Sequence, residues 1–498
     1  MCNGESAPQT LGACNDFDCV NYAMTRTSNY PDDPLLWTEN EGWFQQWDVP
    51  TNQTKAYRKP EEIAYAIARW FAIGGAHHNY YMYYGGNNFG RSAGAAVTQM
   101  YADGVNLYSD GLDNEPKRSH LKKLHNVLAL YQHELLQHDI QLHHPIFLNQ
   151  SNHAHRMYQY GDFRFVENQE TTGASLTIGQ HTYFVAARSM LLVHNDKVVY
   201  NTSNVVTKGL KTQRQYEPLV RPADWKMWAE SPTNPWYRKQ IQAVEPSEQL
   251  RLTQDITDYL IYTTQLIAKD QSSHHLNITT CESSSLLIYV DGTFIGEVNS
   301  PHHVGNCSRS LALLVPPLSV ATHNLSIVSI SMGIGNANTL HSKGITGDIL
   351  YNEVSLRRNG WRMYPGTRGE TLQIYRAAYR DSVPWQAVPN NLTPKPLQWY
   401  ASTFNLPART NMDFVKYPIL VDCKGLGRGR IYVNGFDVGR YWMRQYNQSY
   451  VQQYYFIPPE YIFPTDNYLV VLEELGVESL DTVRIVQASV VDPMLLTG

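Results

Sequence analysis

Along the first 139 residues, short apolar runs alternate with stretches in which apolar side chains recur every three to four residues. The first such stretch begins at Pro60, which suits a first helical turn, continues with Glu61 and Glu62 at the positive end of the helix dipole, and stops at Gly74. Its apolar face consists of Ile63, Ala66, Ile67, Trp70 and Phe71. The second stretch begins at Pro116, and its apolar face consists of Leu121, Leu124, Leu128, Tyr131 and Leu135. The two stretches predict helices in β/α units around a parallel sheet.

A strand and a candidate reactive acid follow from the pattern around these helices. The segment HHNYYMYYGGNNFG, residues 77–90, begins with the period of two that is typical of a strand, so Asn79, Tyr81 and Tyr83 fall on one side of it. An earlier apolar run ends in WTENEGWF, residues 37–44, where Glu39 stands among aromatic side chains. Enzymes built on parallel β/α barrels carry their reactive groups at the carboxyl ends of the strands. Glu39 is therefore a candidate for chemistry, with a loop cap or a solvated charge as the alternative.

After residue 139 the pattern changes to short alternating strands separated by turn residues, which is typical of all-β domains. Two stretches repeat one theme: LLIYVDGTFIGEV from Leu286 and GRIYVNGFDVGRYW from Gly429 are each a strand, an Asp-Gly or Asn-Gly turn, and a second strand. They predict two similar β-sandwiches, or one sandwich interrupted by the other. The expected domains are a β/α segment at 1–139, a small β domain at 140–217, a polar linker rich in Trp and Pro at 218–248, a sandwich at 249–345 and a second sandwich at 346–498.

Composition narrows the classes of function. With 498 residues the chain is too long for one hydrophobic core, and a net charge of −5 without any basic block argues against binding of nucleic acid. No apolar run reaches the roughly 18 residues that a membrane span needs. No Cys-x-x-Cys or His-x-x-x-His spacing indicates a metal site. The 34 Tyr and 11 Trp suit stacking on sugar rings, but the cores of β-sheets also collect aromatic residues.

Two features indicate the secretory route. Eight Asn-x-Ser/Thr sequons occur, where chance would give roughly three. Six cysteines are present, and their spacing allows but does not establish a disulfide between Cys281 and Cys307. The first residues, MCNGESAPQT, lack the basic and apolar regions of a signal peptide, so we expect that Met1 is internal and that part of the first domain precedes it. We expect a secreted, extracellular or vacuolar-lysosomal protein.

Four motifs occur in order at close spacing: WTENEGWF, IARWF, NYYMYYGGNNFGR and PKRSHLKKLH. They resemble family 35 of the glycoside hydrolases, the β-galactosidases. Further along, TQDITDYLIYTTQL, GLGRGRIYVNGFDVGRYW and IPPEYIFPTDNYLVVLEELG are similar to the β-domain motifs of plant-type members. The resemblance spans nearly the whole chain. It implies the C-terminal part of a TIM (β/α)8 barrel followed by all-β domains that include galactose-binding-like jelly-roll sandwiches.

The resemblance also implies a reaction and the residues that perform it. Glu39 matches the family's nucleophile, Tyr81 matches a tyrosine that lines the galactose site, and Trp43 offers an apolar sugar face. Tyr101 stands beside Ala102, where some members have a tyrosine that contacts sugar, and could substitute for it. From the residues alone, Tyr81 and Trp43 could also be packing positions. The implied activity is retaining exo-hydrolysis of terminal β-D-galactose from glycans or oligosaccharides, and this chemistry requires neither a metal nor an organic cofactor.

The catalytic partner of Glu39 is missing from the sequence. Retaining hydrolysis needs a second carboxyl group, a proton donor, roughly 5 Å from the nucleophile. The family carries it in an upstream segment of the QIENEYG kind that this chain lacks, and Asp103, Asp110 and Asp113 are interpreted as loop residues. We therefore expect the chain to begin near the fifth barrel strand, and to be inactive and prone to aggregate by itself. The alternative is a noncatalytic carbohydrate-binding protein built on the jelly rolls.

Overall fold

The computed structural model describes residues 9–41, 45–47, 58–94, 97–137, 143–149, 151–205, 213–232, 240–281, 284–300, 309–333, 342–443, 445–446 and 449–491. These residues form a β/α segment, a small antiparallel β domain and two β-sandwiches. Within them, no helix is long and apolar enough to cross a membrane.

A three-stranded parallel sheet organises the β/α segment, with its strands in chain order. Its elements are β1 (Ala13–Asp16), α1 (Val20–Asn29), β2 (Leu36–Glu41), α2 (Pro60–Ala72), β3 (His77–Tyr81), α3 (Lys117–Leu130) and α4 (Gln132–Leu136). Neighbouring parallel strands joined through helices are the predicted β/α units. Three such strands lie in the described part of the chain, so the barrel itself stays a prediction. A disulfide joins Cys14 of β1 to Cys19, just before α1.

Helix α2 confirms the helix predicted from the apolar pattern. It begins at Pro60, and it ends before Gly74, whose φ of 97° takes the chain out of the helix. A side chain on Gly75 would collide with the ring of Trp70, because a Cβ there would lie 2.3 Å from Nε1. The second predicted helix is interrupted at Tyr131, between α3 and α4, where the Tyr131 ring stacks on Phe163 of the next domain with centroids 4.8 Å apart.

The small β domain packs directly on these helices. Its strands are β4 (Ile146–Phe147), β5 (His155–Tyr160), β6 (Phe163–Asn168), β7 (Ala174–Ile178), β8 (His181–Val185), β9 (Ser189–His194) and β10 (Lys197–Asn201). They form a five-stranded sheet in the order β10-β9-β6-β5-β4 and a β7-β8 hairpin. Tyr160 donates to the carbonyl of Ala72 at 2.9 Å, and Tyr65 of α2 donates to Glu167 at 2.7 Å. The domain therefore shares one core with the β/α segment.

The next two strands of the chain belong to the second sandwich, which later strands complete. The strands that follow these two form the first sandwich. The elements are β11 (Gln213–Val220), β12 (Lys226–Ala229), β13 (Ile241–Ala243), α5 (Gln249–Thr253), β14 (Tyr259–Ile267), β15 (His274–Thr280), β16 (Ser284–Val290), β17 (Thr293–Ser300), β18 (Arg309–Val315), β19 (Thr322–Ser331), β20 (Ile345–Tyr351), β21 (Val354–Ser355) and β22 (Trp361–Pro365). The first sandwich pairs a six-stranded sheet, β13-β22-β14-β19-β16-β17, with a four-stranded sheet, β18-β15-β20-β21. It therefore extends beyond the expected boundary at residue 345.

The second sandwich takes strands from both sides of the first. Its later elements are α6 (Arg368–Leu372), β23 (Gln386–Ala387), β24 (Gln398–Phe404), β25 (Ile419–Asp422), β26 (Arg428–Val433), β27 (Phe436–Trp442), β28 (Gln445–Tyr446), β29 (Ser449–Tyr450), β30 (Tyr454–Ile457), β31 (Asn467–Glu473) and β32 (Arg484–Val491), with 3-10 turns at Ala377–Ser382 and Pro459–Tyr461. Its sheets run β23-β12-β24-β31-β26-β27 and β11-β32-β25-β30. The segment expected to be a linker is therefore not one, because β12 and β13 lie within 218–248 and β11 ends there. One sandwich interrupts the other, which was one of the two predicted arrangements.

The two six-stranded sheets pack against each other, so central strands such as β16, β26 and β31 are buried on both faces. In β31, Tyr468, Val470 and Leu472 face the first sandwich, whereas Leu469 and Val471 face the interior of the second. Strands buried on both faces read as continuous apolar runs. The stacking explains why this segment lacks the alternation of a surface strand.

Candidate active site

At Thr38 and Glu39, strand β2 has one residue more than each of the two strands that pair with it. Two consecutive residues of β1 pair with Trp37 and Glu39, which are two apart on β2. Two residues of β3 that are two apart pair with Trp37 and Asn40, which are three apart on β2. This geometry is a β-bulge, which re-aims the side chains next to it.

The bulge decides the direction of Glu39. Trp37 packs edge-on against Trp70 of α2, with ring centroids 5.6 Å apart, on the helix-covered side of the sheet. Asn40 lies on that side too, because its amide nitrogen is 3.0 Å from His78 Nε2, and the His78 ring packs against Trp37. In a regular strand, residues three apart would point to opposite faces. The extra residue therefore turns Glu39, between them, to the face away from the helices.

Polar groups surround Glu39 on that face. Asn15 of β1 is its register partner and accepts a hydrogen bond from the Thr38 hydroxyl at 2.9 Å. Asn79 of β3 donates to the carbonyl of Thr38 at 3.0 Å, and alternation places Tyr81 on the same side as Asn79. Glu39 is half-buried, and its carboxylate has no hydrogen bond or ion pair among the described residues. Its oxygens are therefore available for a ligand.

Tyr81 and Tyr101, expected to share the sugar site, are brought together. Their side chains share a hydrogen bond, and burial and the neighbouring Tyr81 raise the pKa of Tyr101 well above its usual value. The Tyr101 hydroxyl also lies 3.3 Å from the sulfur of Met82. Trp43, the fourth expected site residue, lies outside the described residues.

A polar network that contains two uncharged imidazoles supports the helix-covered side of the sheet. Tyr80 lies 2.8 Å from His125 Nε2 of α3, and Arg58 donates to the Asn40 side chain at 2.6 Å. Burial and the neighbouring His125 lower the pKa of His78 to about 3, and burial lowers the pKa of His125 as well. Both imidazoles are therefore uncharged near neutral pH. The network fixes the ends of β2 and β3 and contributes no proton donor to the face of Glu39.

Some members of the family that the sequence resembles have a sugar-contacting tyrosine at the position of Ala102. In this chain Ala102 is a packing position. It is 2% exposed, and a Cβ on Gly85 would lie 2.4 Å from the Ala102 Cβ. This close approach of two chain segments leaves no room for a tyrosine ring. Tyr101, the next residue, is the aromatic side chain that reaches Tyr81.

Two family models match parts of this chain. Residues 1–128 match the model for glycosyl hydrolases family 35, and residues 397–467 match the model for the galactose-binding domain of beta-galactosidase. Similar proteins include probable beta-galactosidase 2 of Dictyostelium discoideum, 29% identical over 91% of this chain and 61% of its own length. The first 128 residues are therefore similar in sequence to glycosyl hydrolases family 35.

Other relatives of this chain have similar names. Beta-galactosidase 10 of Arabidopsis thaliana is 26% identical over 96% of this chain and 68% of its own length, and beta-galactosidase 11 of Oryza sativa subsp. japonica is 28% identical over 96% and 56%. The chain spans about half to two thirds of the length of the curated relatives it matches. Among solved structures, the GalNAc complex of the Pleurotus ostreatus lectin is 14% identical over 57% of this chain and 86% of that chain, with a TM-score of 0.16, too low to support a fold comparison.

The aspartates near Tyr101, which were interpreted as loop residues, pair with arginines. Asp103 and Asp110 both pair with Arg214 of β11, the second at 3.1 Å, and Asp113 accepts from Arg118 at 3.1 Å. Burial raises the pKa of Asp110, while Arg214 opposes the shift. Across the described residues, no group of three or more His, Cys, Asp or Glu side chains is arranged to hold a metal ion.

A buried ionic cluster joins the two sandwiches, and the sequence analysis missed it. Glu474 pairs with Arg428 at 2.6 Å and with Arg440 at 2.5 Å, and Asp258 pairs with Arg430 at 2.6 Å and with Arg440 at 2.9 Å. Burial by itself would raise the pKa of Glu474, but Arg440 and Arg428 lower it to about 2. The available signal was the motif GRGRIYV, in which two arginines occupy alternate positions of an otherwise apolar strand. The cluster connects the three downstream family motifs.

The Asn-Gly turn of the second sandwich uses its polar groups internally. The Asn434 amide donates to the carbonyl of Tyr461 at 2.7 Å and to the Asn467 side chain at 2.8 Å, and its oxygen accepts from the backbone of Tyr468 at 2.7 Å. Both hydrogens of the Asn434 side-chain amide are therefore used within the protein. This arrangement supports a bracing role for the turn.

Proposed function

We propose that this chain supplies the nucleophile and part of the galactose site of a retaining exo-β-galactosidase. The observation that carries the proposal is the bulge in β2, because it turns Glu39, with a carboxylate that has no described partner, to the face that also holds Asn79 and Tyr81. Sequence similarity supports the substrate class, since relatives of this chain are named beta-galactosidases.

In the proposed reaction, an oxygen of Glu39 attacks C1 of a terminal β-galactoside and the bond to the aglycone breaks. The aglycone leaves with a proton from a general acid, and the sugar remains as a galactosyl ester of Glu39. Water then cleaves the ester with retention of configuration. The sequence contains no residue that matches the position of the family's general acid, so the proposal assigns roles only to this chain's own residues.

Aromatic side chains give the proposed site its shape for a sugar. The Tyr81 and Tyr101 hydroxyls, which share a hydrogen bond, provide donors and acceptors for sugar hydroxyls. Trp43 is proposed to stack on the apolar face of galactose. None of these contacts requires a metal or an organic cofactor.

Replacement of the proposed nucleophile tests the proposal. In the complete natural protein, Glu39→Gln is expected to lower kcat for an aryl β-galactoside by at least about 1000-fold, because the amide cannot form the ester. Asp113→Asn is a matched control. Asp113 lies on a loop and pairs with Arg118, so this variant should retain activity within about twofold. Activity of Glu39→Gln within about tenfold of the wild type would show that another residue is the nucleophile.

We also propose that the protein follows the secretory route to the cell exterior or to a vacuole or lysosome. Cys14 and Cys19 form a disulfide, and Cys281 is disulfide-bonded as well, although its expected partner Cys307 lies outside the described residues. Disulfides persist in oxidising compartments. The sequons provide a separate argument for the same route.

A further inference from the structure

The segment that carries Tyr101 has little regular structure of its own. Residues 97–102 contain one isolated bridge and turns. From the β/α segment, the backbone of Gln45 donates to the carbonyl of Tyr101 at 2.7 Å and accepts from Thr98 at 2.9 Å. The position of Tyr101 therefore depends on groups that hold the segment from outside.

A pair of glutamines ties this segment to the second sandwich. Gln452, just before β30, accepts a hydrogen bond from the backbone N–H of Met100 at 2.9 Å and donates to the side chain of Gln99 at 3.1 Å. Gln99 in turn donates to the carbonyl of Val438 in β27 at 2.8 Å. Gln99 and Gln452 are 1% and 7% exposed, so water does not replace these bonds readily.

We propose that Gln452 is a positioning residue of the sugar site. By holding Met100, it fixes the next residue, Tyr101, against Tyr81, and the second sandwich thereby shapes a site on the β/α segment. This inference rests on the proposed function, because the position of Tyr101 matters only if Tyr101 lines the sugar. Under this proposal, the region that matches the galactose-binding domain positions Tyr101 and does not itself need to bind a sugar.

The next residue in the chain provides a matched control. The Gln453 side chain donates to Asp422 at 2.9 Å, and no hydrogen bond joins it to residues 97–102 among the described residues. Gln452→Met and Gln453→Met both keep the volume of the side chain and remove its hydrogen bonds. Only the first removes bonds to the Tyr101 segment.

The test compares these variants in the complete natural protein. Gln452→Met is expected to lower kcat/KM for an aryl β-galactoside about tenfold, chiefly through KM, whereas Gln453→Met should stay within about twofold. If Gln452 acts through Tyr101, adding Tyr101→Phe to Gln452→Met should cause little further loss. The dissociation constant of galactose, measured by calorimetry, should show the same order of effects. Gln99→Met should reproduce the result if Gln452→Met fails to fold.

Three results would overturn the positioning role: equal losses from Gln452→Met and Gln453→Met, fully multiplicative losses from Gln452→Met and Tyr101→Phe, or unchanged galactose affinity in Gln452→Met. A wild-type protein that binds galactose but does not hydrolyse the galactoside would contradict the proposed function alone, because the binding comparison still tests Gln452. A wild-type protein that neither binds nor hydrolyses would contradict both.

Discussion

A bulge of one residue determines which face of the sheet Glu39 occupies. Strict alternation would place Glu39 on the same side as Trp37, under the helices, where an ionised carboxylate would be costly. The sequence does predict strand β3, because its alternation depends only on neighbouring residues. The strand ends at Tyr81, however, and Tyr83, predicted on the side of Asn79, packs against Tyr80 with ring centroids 5.8 Å apart. The bulge depends on register against two other strands, so the residues around Glu39 alone could not predict it.

Residue exposure also gives a test of the proposed compartment. Asn149, Asn324 and Asn391 lie in sequons and are exposed, whereas Asn201 is half-buried and accepts hydrogen bonds from Ser203. We expect N-glycans at the three exposed sites, because the modifying enzyme must reach the amide. Mass spectrometry after enzymatic deglycosylation of protein from its natural source would locate them. Unmodified asparagine at all three sites would argue against the secretory route.

At the level of elements, those predicted from local chemistry agree with the structure. Helix α2 begins and ends as predicted, and both hairpin turns form with positive φ at both central residues, 48° and 84° at Asp291 and Gly292, and 52° and 88° at Asn434 and Gly435. The linker prediction was wrong because the partners of its strands are distant in sequence: β12 pairs with β24, and β13 with β22. A polar composition rich in Trp and Pro does not reveal such pairing.

The ionic cluster between the two six-stranded sheets predicts a strong dependence on Glu474. Removing one partner of a buried ion pair leaves uncompensated charge, so Glu474→Gln should lower the free energy of unfolding by about 3–5 kcal/mol. Glu245→Gln, which alters an exposed pair with Arg358, should change it little. Chemical denaturation of both variants at pH 7 would measure the difference, and equal effects would contradict the assigned role.

The same carboxylate sets a direction for acid sensitivity. Its pKa in the folded protein is about 2, below the ordinary value of 4.5. The stabilisation from Glu474 is therefore fully present above pH 4.5 and is lost as the pH falls from 4.5 towards 2. This part of the acid destabilisation should be absent in Glu474→Gln.

At the scale of the whole molecule, the chain order of the strands differs from their order in space. Strands β11 and β12 precede the first sandwich but belong to the second, and the second sandwich holds the Tyr101 segment of the β/α segment through Gln99 and Gln452. Sequence patterns predicted that the chain after residue 139 is rich in β-strands, and the structure agrees. They could not identify this interleaving, because strands of both sandwiches have the same local pattern.

Covalent trapping tests the central claim most directly. The complete natural protein would be incubated with an activated 2-deoxy-2-fluoro-β-galactoside, which slows hydrolysis of the ester intermediate, and its peptides would be analysed by mass spectrometry. The account predicts a fluorogalactosyl group on the peptide that contains WTENEGWF, attached to Glu39. A label on any other carboxylate would contradict it.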